Sequence, residues 1–317
     1  IGLGCFVMSS VAFLARAPWL VGALWVVSGL ATSLESLGAQ SYLIRAAGNR
    51  HIGTISAFYH WGFTLGGALG SPFAGYILDT RGYTVFATWL IGFAAFNLVL
   101  AVALMPSHQQ RQTDQERQRW HRALAGYLHV VRQPLVVRLG LMRFLPTCYY
   151  GMSGVLVPLL IYARTGTKIS VAAFATTSQV LATLAQLVTG RFADRVGPQT
   201  PTRIAMGAVA LAALGQAAFA RQPWGLFAFG CLGVAAAWSL STMMLVLVSG
   251  ATSHHEQGRV LGALALVWNL AMVLSVLVGG VLVEVSAGLP FAVASVLGLA
   301  GVLVVVSYFR QLGHGHG

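Results

Sequence analysis

Apolar residues along this chain fall in long blocks separated by short polar gaps. A helix needs roughly 20 apolar residues to cross a hydrocarbon core about 30 Å thick. Ten blocks approach that length: 1–15 (cut short), 19–45, 52–78, 83–105, 139–163, 170–190, 202–220, 223–249, 259–285 and 289–309. One gap is long, from Pro106 to Arg138, and holds most of the Arg, Gln and His. Within it Trp120, Leu124, Tyr127, Leu128 and Val131 recur at helical spacing, which predicts an amphipathic helix lying on the membrane face.

Composition agrees with the pattern. Of 317 residues, 57% are hydrophobic and 8% charged, against about 25% charged in a soluble domain. That excludes a disordered chain and a conventional soluble enzyme. The net charge of +12 sits in the gaps and points away from nucleic acid. Cys5, Cys148 and Cys231 lie inside apolar runs, without metal-ligand spacing or a disulfide framework.

Basic residues orient the chain. Arg45, Arg50, six arginines from Arg111 to Arg138, Arg191, Arg195, Arg203, Arg259 and Arg310 place thirteen charges in alternate gaps, against five at Arg16, Arg81, Arg164, Lys168 and Arg221. The long linker and the C-terminus are therefore expected in the cytoplasm, across a plasma or inner membrane. An internal repeat is also legible. Ala15-Arg16-Ala17-Pro18-Trp19 returns as Ala220-Arg221-Gln222-Pro223-Trp224, a shift of 205 that also pairs Gly75 with Gly280, Asp79 with Glu284 and Phe86-Ala87 with Phe291-Ala292. In between, a shift of 209 matches Arg50 and Gly53 to Arg259 and Gly262. Six helices separate the copies, so both point the same way, as in a parallel repeat. The expectation is an all-α membrane protein of two six-helix bundles, with ten transmembrane helices here and two preceding Ile1. The segments would be 1–105 (remnant of the first bundle), 106–138 (linker), 139–309 (second bundle) and 310–317 (tail).

Gly190-Arg191-Phe192-Ala193-Asp194-Arg195-Val196-Gly197 resembles the G-x-x-x-D-R-x-G signature of the major facilitator superfamily, secondary transporters of two six-helix halves. In that family the signature occupies the cytoplasmic loop between the second and third helices of a half. Here Pro198 and Gln199 replace the basic residues that usually follow. The resemblance implies a cytoplasmic gating loop made of Gly190, Asp194, Arg195 and Gly197. Independently of the family, Asp194 is an anion suited to the positive N-terminus of a neighbouring helix; the helix starting near Ile52, with Arg50 beside it, is the expected partner. The run Gly67-Ala68-Leu69-Gly70-Ser71-Pro72-Phe73-Ala74-Gly75-Tyr76 resembles the fifth-helix pattern g-x-x-x-G-P-x-x-G-G of export-type members, with Ser71 and Tyr76 in place of two glycines. Gly67, Gly70, Pro72 and Gly75 equally suit tight helix packing. Trp25 stands where export-type members often carry an Arg, four residues before Gly29, so the usual proton-antiport arrangement is not implied.

Polar groups at bilayer depth usually face a cavity or a partner. Glu35 shares a helical face with Ser28, Thr32 and Tyr42; His60 shares one with Ser56, Thr64, Gly67 and Ser71. At about 1.5 Å per residue the two lie at depths of roughly 15 and 12 Å, which suggests either a titratable pair coupling proton movement or a structural hydrogen bond. In the second half, Thr176, Gln179, Thr183, Gln186 and Gly190 form one stripe, and Arg143, Thr147, Tyr150 and Gly154 another. Arg143 either snorkels to the interface or faces the cavity, where it favours an anionic substrate or a carboxylate partner. Asn269, with Trp268 beside it, aligns with His60; Trp238, Ser241 and Thr242 match the level of Glu35. The expected transport cavity is thus Glu35, His60, Thr64, Arg143, Tyr150, Gln179, Trp238 and Asn269.

His254, His255 and Glu256 cluster without a third metal ligand, and no nucleotide loop, nucleophile motif or paired catalytic carboxylates are present, so neither a metal nor a cofactor is expected. The reading is a non-enzymatic, monomeric secondary transporter in contact with membrane lipid. It would move a small organic solute by alternating access, with a coupling proton or cation, by efflux or alternatively by nutrient uptake. A non-transporting membrane sensor or scaffold is the reading from another class.

Overall fold

A computed structural model describes residues 35–43, 51–104, 132–253 and 256–314, together with Leu20 and Val27. Every element among them is helical. After a helical stretch at 35–43 come α1 (Ile52–Thr80), α2 (Tyr83–Leu104), α3 (Pro134–Thr165), α4 (Lys168–Val196), α5 (Gln199–Ala218), α6 (Pro223–Ala251), α7 (Gln257–Val285) and α8 (Leu289–His314). Six of these, α2, α3, α4, α6, α7 and α8, contain spans long and apolar enough to cross a membrane. Eight of the ten apolar blocks coincide with long helices. The run 1–15, most of 19–45, the amphipathic segment through Trp120 and Val131, and the pair His254–His255 lie outside the described residues.

Several boundaries move, among them the end of the last helix, expected at 309 and found at His314; two of the moves have a local reason. The second-bundle helix expected from residue 139 starts at Pro134, with Gln133 as N-cap and proline in the first turn, where its missing N–H costs nothing. The next helix, expected to end at 190, continues to Val196. The signature Gly190–Gly197 is therefore not the loop that the sequence predicted: it forms the last two turns of α4 and its cap. Charged side chains at a helix end reach water while the backbone keeps its hydrogen bonds. Helix ends where Gly197, at φ 83 and ψ 166, donates its N–H to Ala193 O at 2.9 Å. That backbone region is essentially restricted to glycine.

The chain divides into two compact units. One contains the described residues 35–42 and 72–104; there Phe73 meets Trp89 edge-to-face at 5.9 Å. The other contains 43, 51–71, 132–253 and 256–314. In it α3 packs against α6, α7 and α8, α4 against α6, and α5 against α6 and α8. The middle of α3 is the core, with Leu139, Met142 and Tyr149 fully buried. A network crosses it: Gln216 Nε2 donates to Ser153 Oγ at 3.0 Å, and Ser153 Oγ to Tyr149 Oη at 3.4 Å. Outward, Leu266, Leu270, Val273, Leu277 and Val281 leave α7 with a broad exposed apolar face, a surface that belongs in hydrocarbon rather than water.

Candidate functional site

The N-terminal part of α1 lies in the second unit and runs antiparallel to α4 in a regular register. Gly67 faces Gln179, whose side-chain Cδ would lie 3.7 Å from a Cβ at that glycine. One turn away, toward the start of α1, Thr183 Oγ1 is 2.8 Å from Thr64 Oγ1 and 2.8 Å from Gln179 O. Near the start of α1, Gly53 meets Gly190. A Cβ on Gly53 would come within 2.6 Å of Gly190 O, and one on Gly190 within 2.6 Å of the Ala57 methyl. Only glycine at both places allows this approach.

The close approach sets up the charge contact. Helix α1 follows His51, whose φ of 58 turns the chain into the helix, and its first N–H groups have no intrahelical acceptor. Asp194, at the end of α4, supplies one from another helix. Gly53 N donates to Oδ1 at 2.9 Å and Thr54 N to Oδ2 at 2.8 Å, and the Thr54 hydroxyl also donates to Oδ2. The carboxylate does for α1 what an N-cap side chain normally does, with the helix dipole adding to it. Asp194 itself is exposed.

Deeper in the same unit, polar groups from five helices converge. Ser56 Oγ donates to Thr242 O at 2.7 Å, binding α1 to α6. His60 is buried, its Nδ1 2.9 Å from Ser56 O, a contact that fits an N–H at Nδ1. The ring meets Trp238 at 6.2 Å, and Trp238 meets Tyr150 at 6.1 Å. Arg143 projects inward: Nη1 donates to Ser241 Oγ at 2.9 Å, and the guanidinium carbon sits 5.8 Å from the centre of Trp268. Arg143 lies nine residues into α3, about 13 Å along the axis, and these contacts turn it toward α6 and α7. Several groups lack partners: Gln179 Oε1, both amide atoms of Gln186 and Trp238 Nε1 are buried without a hydrogen bond.

The structure brings together His60, Thr64, Arg143, Tyr150, Gln179 and Trp238. Asn269 lies elsewhere, on the exposed face of α7, its amide donating to Ala265 O at 2.9 Å within its own helix; its neighbour Trp268 takes the inward position. Glu35 is exposed on the helical stretch of the other unit. Of the fifth-helix pattern, Gly67 meets a neighbouring helix, whereas a Cβ at Gly70 would meet nothing within 4 Å and Pro72 is exposed. Arg195 is exposed on the last turn of α4. The Gln216–Ser153–Tyr149 network went unread in the sequence, since Gln216 lies on α5, far along the chain from Tyr149 and Ser153 on α3, and the three carry no shared motif. Among the described residues no three His, Cys, Asp or Glu side chains are grouped to hold a metal.

Compared with known families, the chain matches the Major Facilitator Superfamily over residues 1–272 and again over 139–316. It belongs to that superfamily. As a Major Facilitator protein it is an integral membrane transporter and not an enzyme. Solved structures with the same fold include the human organic anion transporter MFSD10 (TETRAN), with a TM-score of 0.73 and 21% identity over 96% of this chain and 76% of that one. A bacterial homologue of the iron transporter ferroportin, in an outward-facing state, superimposes with a TM-score of 0.66 and 15% identity over 98% of this chain and 82% of that one. No curated protein sequence matches.

Proposed function

We propose that this Major Facilitator protein is a secondary active transporter that moves a small organic solute by alternating access, in the direction of efflux. The observation that carries the reading is the set of buried side-chain amide atoms without partners on α4, Gln179 Oε1 and Gln186 Nε2 and Oε1. Such atoms normally find partners, and leaving them bare inside an apolar bundle disfavours a purely structural interior; a passing solute and its water supply what is missing. The degenerate fifth-helix pattern supports efflux over uptake. The two structural neighbours are named for different cargoes, an organic anion and iron, so they leave the solute open.

The Asp194 contact is the gate of this cycle. With the basic gaps on the cytoplasmic side, the ends of α4 and α1 meet there, and the cap closes that face. The bonds are charge-assisted yet exposed, worth about 1–3 kcal/mol together. That magnitude biases a state without freezing it. Glu35 and His60 are the groups that couple a proton or cation to the cycle. Transport into proteoliposomes under an imposed proton gradient tests the reading with a solute panel. Gradient-dependent flux that falls on replacing Glu35 and His60 supports it. Flux unchanged by their loss removes the coupling, and binding without any flux marks a sensor.

A further inference from the structure

We infer that the solute is an organic anion with a flat apolar body, and that Arg143 is the group that binds its charge. This rests on the transporter reading and specifies the chemistry of the same site. Arg143 sits about 13 Å along α3, half-buried, in a unit whose described carboxylates are Asp194, Glu256 and Glu284. All three stand at helix ends: Asp194 in the last turn of α4, Glu256 as the N-cap of α7 and Glu284 in the last turn of α7. Asp194 is already engaged by Gly53 and Thr54. No acid of this unit is therefore at the depth of Arg143. A cation inside a bundle is costly unless paired, and an apolar side chain at that position would avoid the cost.

Geometry says what kind of anion completes the pair. A guanidinium carries five N–H donors in a planar fork suited to carboxylate-type oxygens. The bond recorded for it, Nη1 to Ser241 Oγ at 2.9 Å, takes one of them. Trp268 lies 5.8 Å from the guanidinium carbon, and Trp238 packs between Tyr150 and His60. The Trp268 ring beside the cation, with the Tyr150–Trp238–His60 cluster in the same interior, suits a planar ring bearing the charge, whereas a bare inorganic anion would gain nothing from them.

Equilibrium dialysis of the purified full chain with radiolabelled 2-naphthoate, 2-naphthamide and acetate tests this. Saturable naphthoate binding at least tenfold tighter than that of the isosteric amide or of acetate is the expected result, lost about tenfold or more in Arg143→Met and partly retained in Arg143→Lys. Equal binding of amide and naphthoate overturns the charge assignment on the unaltered chain, without depending on any variant folding. Equal binding of acetate overturns the apolar body. Naphthoate affinity that survives Arg143→Met overturns the role of Arg143. Flux measured in parallel separates the two readings: Arg143-dependent binding without flux sinks transport alone, and flux indifferent to solute charge sinks this inference alone.

Discussion

At the scale of single residues, the cap on α1 makes sharp demands. Asp194→Asn keeps the shape but loses the charge, and its amide nitrogen cannot accept from a second N–H. About 1–2 kcal/mol of the contact should disappear, seen as a several-fold fall in transport with membrane insertion unchanged; wild-type flux would dismiss the gate. Gly190→Ala attacks the same contact sterically, since its methyl would sit 2.6 Å from that of Ala57 and 2.5 Å from Gly53 O. Overpacking of this kind costs about 1–3 kcal/mol, and a lower melting midpoint in detergent would report it. Gln186 offers the opposite sign. With both amide atoms unpartnered, Gln186→Leu should leave thermal stability equal or higher while reducing transport, because an orphaned buried polar group is expensive and a solute-binding one is needed. A variant that loses stability instead would assign the amide a structural bond.

Among the helices, what could be read from the chain and what could not separate cleanly. Long apolar blocks announce helices because nothing else satisfies the backbone in lipid, and the positions of α1, α2 and α6 follow from them nearly residue for residue. Helix ends were harder. Arg138 in the one stretch, 134–138, and Arg191, Asp194 and Arg195 in the other, 191–196, mark both as gaps, yet both are helical, and the three charged side chains of 191–196 stay exposed at the helix end. Facing residues were legible wherever a stripe was long: Gln179, Thr183 and Gly190 recur at helical spacing and meet α1 as a set. Asn269 shows the limit. One residue along a helix is a rotation of about 100°, so a repeat alignment off by one position moves a side chain from interior to exterior, and Trp268 is the inward member. The end of α4 gives a further test: Gly197→Ala forces a side chain into a glycine-only backbone region and should cost about 1–3 kcal/mol, read as a reduced melting midpoint.

For the whole molecule, the proposed alternating access requires that contacts joining α1 to α4 form and break in each cycle. Thr64 and Thr183, with hydroxyl oxygens 2.8 Å apart, provide a way to arrest it. A Thr64→Cys/Thr183→Cys pair, in a background where Cys5, Cys148 and Cys231 are replaced, should cross-link under mild oxidant, abolish transport and recover on reduction. Full flux with the bridge formed would mean that these helices never separate at that level. Membership of the superfamily sets the frame for that experiment, and the polar interior sets its point of attack.

The recipient of the Asp194 bonds is chiefly main chain. Two of the three donors are the amides of Gly53 and Thr54, which every residue but proline possesses, so their half of the clasp survives almost any substitution along α1 provided the space beside Gly53 stays open. If that clasp is the gate proposed above, sequence drift can rewrite the other side chains of that helix while the clasp stays intact. A lineage of such transporters is thereby free to change what it carries without redesigning how it shuts.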